Sequence, residues 1–366
     1  MDPPPTTPVA RAMNRFALDL YAVAHPADNF AFSPASIYWA LSMSLVGAEG
    51  VTAEQLRSAL GIADLDSLSI ATGESEEYEL AIANGVFADR SVELLSEFVA
   101  AIAARHQATC EALDFAEHSD EARAHINEWV ATATERRIQD LLPPGIVSPH
   151  TRLLLVNAVY FKADWLHRFP DDTSDGPFTL SSGECVQVPT MRMTATLPVS
   201  FDTEASVVEL PYEGGEMSMV VLLPAEDSSL ESLESTLAAE VLTGWLSRVH
   251  PREMVIEMPR FTIDAEAFFV AGSLASLGVT SLFDPATCDL GGACRNEKVH
   301  FEEVVHKTYL RVTEEGTEAA AATAMSAVES APPKRRFIAN RPFLFLIRDL
   351  RDGSFLFMGR VTDPRS

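Results

Sequence analysis

Lysine is scarce in this chain of 366 residues: Lys162, Lys298, Lys307 and Lys334 are the four lysines among 27 basic residues. Acidic residues number 53, so the formal net charge at pH 7 is -26. Polyanions bind to clustered cationic side chains, and a strongly acidic protein repels them. The composition therefore argues against nucleic acid, heparin-like polymers and anionic membrane surfaces as partners. The simpler alternative is that the charge serves solubility alone.

Cysteine is also sparse, and no pair has the Cys-x-x-Cys spacing of a zinc site. Four cysteines in a chain of this length do not make a disulfide scaffold, so most are predicted to be idle thiols. Cys110 and Cys185 stand alone, whereas the loop between Cys288 and Cys294 could bring those two together, which leaves a disulfide there as an open alternative. We expect no metal and no cofactor.

Long apolar runs are absent, so no stretch of the sequence is long enough to span a bilayer. Residues 1–8 are polar and rich in proline, without the positive start and apolar stretch of a secretory signal. They are predicted to form a flexible N-terminal segment. The chain as given is expected to be cytoplasmic, or extracellular if an export signal has been removed.

Catalytic motifs are missing as well. The sequence contains no Gly-x-Ser-x-Gly elbow, no His-Glu-x-x-His, no phosphate-binding loop and no Gly-x-Gly-x-x-Gly. His306 follows an apolar run and is predicted to be a hydrogen-bonded core residue, while Glu302 and Glu303 are predicted to be a solvated pair. We therefore expect no enzyme. An unrecognised hydrolase is an alternative only if a nucleophile, a base and an orienting group converge in the fold.

Apolar periodicity predicts helices in the first 140 residues. Residues 9–21 have helical spacing, Pro34 opens a second helix that extends through Leu45 with Ser33 placed to cap it, and helical patterns fill residues 92–140. One apolar run of strand length, residues 80–87, interrupts them.

Strands are predicted to dominate after residue 145. Short apolar runs occupy residues 153–161, 207–210, 217–223, 254–258, 343–347 and 355–358, and turn sequences at 212–216 and 351–354 join neighbouring runs as hairpins. Helices followed by long strands indicate an α+β fold rather than alternating βαβ units. With 47% hydrophobic residues and no obvious linker, residues 9–366 are predicted to form a single domain.

One segment, residues 314–328, has the properties of a strand kept outside its sheet. Gly316 supplies a permissive hinge, and no proline occurs before Pro332 to remove a ladder donor. The alternating face that begins at Thr317 carries only small or uncharged side chains, and alanine loses almost no side-chain entropy when it is ordered. The alternative interpretation is an exposed helix, because alanine is the best helix former.

This segment and its flanks resemble the serpins, a family of serine protease inhibitors, from about Val9 to Pro364. The most specific matches are Asn-Phe-Ala-Phe-Ser-Pro-Ala-Ser-Ile at residues 29–37 and Asn-Ala-Val-Tyr-Phe-Lys-Ala-Asp-Trp at residues 157–165. Shorter matches lie at residues 188–191, 208–212, 258–261, 306–307, 340–345 and 357–361. The resemblance implies the serpin fold, in which helices pack on a large mixed or antiparallel main sheet with further sheets and an exposed reactive-centre loop, here at about residues 314–337.

The resemblance also implies a suicide mechanism, in which a protease cleaves the loop, becomes acylated, and is trapped when the freed segment inserts as a strand in the main sheet. Inhibitory members share a hinge with an acidic residue, a glycine, Thr or Ser, and then small side chains. The corresponding residues are Glu314, Gly316, Thr317, Glu318, Ala319, Ala320, Ala321, Ala322 and Thr323. The chain is therefore identified as an inhibitory, prokaryote-like member, with a non-inhibitory binding or chaperone-like protein as the alternative.

Two further sites follow from the resemblance. Ser33, Ser36, Asn157 and His306 would form the polar cluster where the two central strands part, and Trp165 would lie where insertion starts. The usual spacing from Glu314 places the reactive bond between Ser330 and Ala331. A count back from Phe337 shifts the register by one, which leaves Glu329 open.

The target class follows from those residues. Small side chains at the reactive bond suit an elastase-like or subtilisin-like serine protease, whereas Glu329 would suit a glutamate-specific protease. A trypsin-like target that cuts at residues 334–336 is less favoured, because a longer tether weakens the pull on the trapped enzyme. Residues 61–78 are short where other members carry a helix used by glycosaminoglycans, so heparin is not expected to act as an activator.

Overall fold

The computed structural model describes residues 6–62, 77–264, 266–295, 299–317 and 335–365. These residues form eight α-helices: α1 (Pro8–Ala24), α2 (Pro34–Gly47), α3 (Gly50–Leu60), α4 (Ser96–His106), α5 (Phe115–Ala133), α6 (Leu230–Ser235), α7 (Ala239–Ser247) and α8 (Ala271–Ser276).

The described residues also form sixteen strands. The first eight are β1 (Phe30–Phe32), β2 (Tyr78–Asp89), β3 (Thr109–Leu113), β4 (Leu153–Asp164), β5 (Ser174–Thr179), β6 (Cys185–Phe201), β7 (Ala205–Pro211) and β8 (Met217–Pro224). The others are β9 (His250–Pro259), β10 (Phe261–Asp264), β11 (Phe268–Phe269), β12 (Phe301–Val312), β13 (Gly316–Thr317), β14 (Arg335–Ile338), β15 (Phe343–Asp349) and β16 (Phe355–Val361).

The first two helices begin where the sequence predicts. The Thr7 hydroxyl accepts a hydrogen bond from the Ala10 amide at 3.1 Å, and Pro8 occupies the first turn of α1, where its missing N–H is not needed. Ser33 caps α2 in the same way. Nearly every residue of α2 is buried, which is the pattern of a helix that crosses the interior of the molecule.

The main sheet has strand order β10-β12-β13-β4-β2-β3, with β11 paired to β12. Its two central strands, β4 and β12, are parallel and pair directly from Leu153 and Phe301 to Tyr160 and Tyr309. We call this direct contact the seam. The last residue pair of the seam is Tyr160 with Tyr309. Beyond this pair β13 lies between the two strands, because Thr317 pairs with Val312 on one side and with Ala163 on the other.

The second sheet has order β1-β16-β15-β8-β7-β6-β9-β14, with β5 paired to β6. Strand β14 pairs in parallel with β9 and forms one edge of this sheet. Its Arg336 and the neighbouring Arg192 both donate to the carboxylate of Glu257. The predicted reactive-centre loop therefore leaves one sheet at β13 and joins the other at β14.

Two apolar cores lie on opposite faces of the main sheet. Leu155 and Val159 of β4 face the larger core, which contains α1 and α2 and reaches the second sheet. Leu154, Val156 and Ala158 alternate with them and face the smaller core under α5. That smaller core also holds Val305 of β12, so it bridges the seam.

The predicted strands at residues 80–87, 153–161, 207–210, 217–223, 254–258, 343–347 and 355–358 and both hairpin turns are confirmed. The helical pattern predicted over residues 92–140 is wrong as an uninterrupted element. Helix α4 ends at His106, and its C-cap residue Gln107 has a φ of 50°. Strand β3 then pairs with β2 before Asp114 caps α5. Strand β3 is only half-buried, so its sequence lacks the apolar alternation that would have revealed it.

None of the four cysteines is in a disulfide, so the alternative pairing of Cys288 with Cys294 is not formed in this structure. No helix in the described part of the chain is both long and apolar enough to cross a membrane.

Candidate functional site

Polar side chains lie side by side across the middle of the seam. Asn157 of β4 is in register with His306 of β12 and with Asn84 of β2. Ser33 and Ser36, at the start of α2, contact the same residues from beneath the sheet. All are buried, with Asn157 and His306 completely inaccessible to solvent. We call these five residues the polar row.

Each member of the polar row has a hydrogen-bond partner. The side-chain nitrogen of Asn157 donates to the Ser36 hydroxyl at 2.6 Å and to the amide oxygen of Asn84. The Ser33 hydroxyl donates to the carbonyl of Leu356 at 2.6 Å and accepts from the Ser36 amide at 3.1 Å. A buried polar network stabilises a fold only when each of its polar groups has a hydrogen-bond partner. The four predicted residues, Ser33, Ser36, Asn157 and His306, all have such partners.

The hydrogen bonds fix the tautomer of His306. Its Nε2 accepts from the Ser33 amide at 3.0 Å, so the proton of the neutral ring lies on Nδ1 and is donated to the side-chain oxygen of Asn157. Complete burial lowers the pKa of His306 to about 3. The imidazole is therefore neutral at physiological pH and serves as a structural link across the seam, as expected for a hydrogen-bonded core histidine.

Trp165 lies at the open end of the seam. Its ring stacks on Tyr212 with centroids 4.5 Å apart, and its indole nitrogen donates to the Thr313 carbonyl at 2.9 Å. Its backbone amide donates to the Glu315 carbonyl at 2.7 Å. The Tyr212 hydroxyl in turn lies 2.7 Å from the hydroxyl of Thr317. Trp165 and Tyr212 thus hold the chain that enters β13.

Gly316 is needed here because the backbones approach closely. A Cβ atom at this position would lie 2.1 Å from the carbonyl oxygen of Ala163 and 2.6 Å from the Cα of Asp164. Both atoms belong to the backbone of β4, so they cannot move aside cheaply. The sequence analysis explained Gly316 by its flexibility, and the structure adds this steric reason.

Glu314 is anchored outside the sheet. Arg260 and the hydroxyl of Thr173 donate to its carboxylate, and its backbone carbonyl accepts from the Phe169 amide at 2.9 Å. The anchor fixes the position at which the hinge leaves β12.

Three of the predicted hinge residues, Glu314, Gly316 and Thr317, are therefore brought together with Trp165. The other predicted hinge residues and the reactive bond lie outside the described residues: Glu318, Ala319, Ala320, Ala321, Ala322, Thr323, Glu329, Ser330 and Ala331.

The acidic pair at the start of β12 differs from the prediction. Glu302 is exposed, but Glu303 is half-buried and its carboxylate accepts from the backbone amides of Ala271 and Val304 at 2.8 and 2.9 Å. Burial raises the pKa of Glu303 against the effect of these hydrogen bonds. Glu303 thus accepts a hydrogen bond from the first amide of α8 and does not form a solvated pair with Glu302.

Sequence reasoning missed Asn84, Tyr212, Arg260 and Thr173. Tyr212 and Arg260 lie in segments that resemble the family, at residues 208–212 and 258–261, and this signal could have found them. Asn84 lies in an apolar strand and Thr173 acts through a contact with distant Glu314, so their sequence surroundings give little signal.

Comparison with known proteins decides the family. The model of the Serpin (serine protease inhibitor) family matches residues 11–364. The chain belongs to the serpin family. The leukocyte elastase inhibitor of Sus scrofa is 37% identical to this serpin over 97% of the chain and 99% of its own length. Serpin B4 of Homo sapiens is 34% identical over the same shares.

Solved structures agree with this assignment. Uncleaved ovalbumin matches this serpin with a TM-score of 0.90 and 28% identity, over 97% of the chain and 100% of its own. The predicted serpin fold is confirmed, and the family and the names of its members agree with a protease inhibitor rather than an enzyme. The curated relatives named here are vertebrate and give no support to the prediction of a prokaryote-like member.

Proposed function

We propose that this serpin is an irreversible inhibitor of a serine protease with elastase-like specificity, and that residues 9–366 act as one inhibitory domain. The observation that carries the proposal is the position of the hinge. Thr317 pairs with both central strands and Gly316 pairs with Asp164 of β4, while the two central strands remain paired with each other below. A new strand can therefore grow from this point by separating the seam one rung at a time.

The chemistry begins at the loop. The serine hydroxyl of the protease attacks the carbonyl carbon of the specificity residue, the amine of the next residue leaves, and an acyl ester joins the two proteins. We place this bond between Ser330 and Ala331, with Glu329 as the alternative specificity residue. Insertion of the freed strand then draws the acylated protease away from the second sheet, before water can hydrolyse the ester.

The polar row supports this mechanism because it joins the two strands that must separate. Asn157 and His306 are linked through side chains as well as through the ladder, and Ser33 and Ser36 hold them from α2. Amide, hydroxyl and imidazole groups can exchange partners without leaving a donor unpaired. We therefore assign the row the role of holding the seam shut before cleavage and pairing again around the inserted strand.

A panel of proteases tests the function. The protein is mixed with pancreatic elastase, subtilisin and a glutamate-specific endopeptidase, and each mixture is analysed for a complex that survives boiling in detergent. We expect a complex with elastase, and the same elastase with its catalytic serine replaced by alanine should form none. Mass spectrometry of the released C-terminal peptide identifies the cleaved bond, with residues 331–366 expected.

The non-inhibitory alternative makes the opposite prediction. A binding or chaperone-like serpin would be nicked without forming any complex, and its melting temperature would not change. A large rise in melting temperature after nicking is expected if the loop inserts.

A further inference from the structure

Two arginines of the second sheet donate to one buried carboxylate. Arg192 of β6 and Arg336 of β14 lie on either side of Glu257 of β9, and each donates from a terminal nitrogen to a different carboxylate oxygen. Only 8% of the Glu257 side chain is exposed, whereas the exposed fraction is 56% for Arg192 and 53% for Arg336. We call these three residues the double-arginine site.

The double-arginine site is positively charged. Burial alone would raise the pKa of Glu257, but the hydrogen bonds and charges of the two arginines outweigh it and hold the pKa below its usual value. The carboxylate is therefore ionised at neutral pH, and two cations with one anion leave one net positive charge. The exposed carboxylate of Asp172 also attracts Arg192, but less than Glu257 does. In a chain with a formal net charge of -26, this exposed positive charge is a local exception.

Neutralising a buried carboxylate does not require two arginines. Three other buried carboxylates are each paired with one arginine: Glu209 with Arg348, Glu314 with Arg260 and Asp349 with Arg351. At Glu257 the second guanidinium is therefore in excess of what the carboxylate needs.

The excess arginine is not needed to hold the sheet together either. Arg336 alone ties the edge strand β14 to β9 through Glu257. Arg192 belongs to β6, which already pairs with β9 along the whole stretch from Thr190 to Val199. Arg192 therefore adds charge to the surface rather than strength to the edge of the sheet.

The double-arginine site is close to the predicted reactive bond along the chain. Arg336 follows Ala331 by five residues, and five residues span at most about 18 Å when fully extended. With Glu329 as the specificity residue, the limit grows by one residue. A protease whose catalytic serine attacks this bond must therefore lie next to the end of the second sheet that carries Arg192 and Arg336.

We propose that Arg192 and Arg336 form an exosite for carboxylate side chains of the target protease, located beside its active-site cleft on the side that takes the residues after the cut bond. A guanidinium presents five N–H donors in a planar fork that matches a carboxylate, and each of these arginines uses only part of its fork on Glu257. A positive site on a negative surface also orients the approaching protease. This inference rests on the proposed inhibitory function and names the surface chemistry of the protease.

Arg192→Gln tests the exosite, because Arg336 continues to neutralise Glu257 in this variant. Docking is measured by surface plasmon resonance with pancreatic elastase whose catalytic serine is replaced by alanine, so that it binds without being acylated. The association rate constant is compared at about 0.01 M and about 1 M ionic strength, where the Debye length is about 30 Å and about 3 Å. We expect the variant to associate about three- to tenfold more slowly at low ionic strength and equally fast at high ionic strength.

Two control variants separate the exosite from a general effect of charge. Arg192→Lys keeps the charge and should recover most of the association rate. Arg90→Gln removes the same charge from an exposed side chain that follows β2, at the opposite end of β4 from β13, and should leave the rate nearly unchanged.

Glu257→Gln distinguishes the exosite from a purely structural role. Loss of the carboxylate charge raises the charge of the double-arginine site, so the exosite predicts faster association at low ionic strength. A role confined to holding β14 predicts a lower melting temperature and no faster association. If this variant does not fold, the Arg192 variants still decide the question.

Failure of the unmodified protein to trap active elastase or the other proteases of the panel would overturn the proposed function, whatever the docking rates are. Equal association rates for the unmodified protein and Arg192→Gln at low ionic strength would overturn the exosite alone. Equal slowing by Arg90→Gln would also overturn it, because the effect would then follow net charge and not position. A difference that persists at about 1 M ionic strength would do the same, because screening would have removed an electrostatic contact.

Discussion

Arg260 donates from its Nε atom to both carboxylate oxygens of Glu314, at 2.6 and 2.7 Å, and so anchors the start of the hinge. The Glu314 side chain is only 6% exposed, whereas that of Arg260 is 47% exposed. Burial alone would raise the pKa of Glu314, but hydrogen bonds from Arg260 and Thr173 outweigh it and hold the pKa below its usual value. The carboxylate is therefore charged at neutral pH, and its charge is matched mainly by one half-exposed guanidinium.

Glu314→Gln tests this anchor, because it keeps the shape of the side chain and removes the charge. We expect the free energy of unfolding of the uncleaved protein to fall by about 1–3 kcal/mol, toward the lower end because Arg260 is partly solvated. Urea unfolding measures the loss, and hydrogen exchange should become faster at the amides of Gly316 and Thr317.

Arg260→Gln removes the other half of the same pair and provides the control. Two groups that act through one contact do not give additive effects, so the double variant should be little less stable than either single variant. Losses that simply add would contradict the view that the two side chains act as one anchor.

Gly316→Ala is expected to expel β13 from the main sheet. The added Cβ would meet backbone atoms of β4 at 2.1 and 2.6 Å, and neither Ala163 nor Asp164 can move without breaking ladder pairs. The hydroxyl of Tyr212 would then lose its contact with Thr317, and hydrogen exchange at residue 317 should become much faster. Gly272→Ala is the matched control, because no atom lies within 4 Å of its added Cβ. Unchanged exchange at residue 317 would show that β13 does not depend on this glycine.

Lowering the pH should decrease the free energy of unfolding of the protein through the titration of His306. Its pKa is lowered to about 3 in the folded protein, whereas the pKa of an unfolded histidine is about 6.5. Between these pH values the unfolded chain binds a proton that the folded chain does not. The free energy of unfolding should therefore fall by up to about 1.4 kcal/mol per pH unit as the pH decreases from about 6.5 toward 3. Above that range the contribution of His306 is fully present.

His306→Gln isolates this contribution. Glutamine can accept from the Ser33 amide and donate to Asn157, as the neutral imidazole does, but it does not titrate. The free energy of unfolding, measured by urea unfolding between about pH 5 and 7, should depend less steeply on pH in this variant. The slope should decrease by the contribution of the one proton that unfolded His306 binds. His106, whose pKa is lowered to about 4 by burial and by Arg105, remains in both proteins and keeps some dependence. An unchanged slope would mean that His306 is not the group that titrates.

The sequence was sufficient to predict four residues of the polar row across the seam, but not the fifth. Ser33, Ser36, Asn157 and His306 could be named because they lie in segments that resemble the family, and the structure places them together. Asn84 could not be named, because its importance depends on its register with Asn157, a residue 73 positions away. Its own strand shows only an apolar run, and long-range register is not encoded in such a pattern.

The same limit explains another difference between prediction and structure. Strand β3 is half-buried and too short to show alternation, so the helical pattern predicted around it extends through residues 109–113. The pairing of β3 with β2 does not follow from local propensity.

Thr317→Arg is expected to convert the inhibitor into a substrate. Thr317 is completely buried in β13, and its hydroxyl lies 2.7 Å from the hydroxyl of Tyr212. An arginine there would expel β13 from its place between β4 and β12 in the uncleaved protein, and its unpaired charge would have to be buried again in the first step of insertion, at a cost of several kcal/mol. Insertion would slow, and the acyl ester would be hydrolysed before the protease could be trapped.

Thr317→Val is the matched control, because it keeps the size and branching of the side chain without adding charge. Both variants are mixed with the same protease, and the ratio of detergent-stable complex to cleaved serpin is measured on gels. The valine variant should form complex much as the unmodified protein does, whereas the arginine variant should accumulate almost entirely in the cleaved form. Equal complex formation by the two variants would mean that trapping does not require residue 317 in the core, and the assignment of β13 as the start of the inserted strand would be wrong.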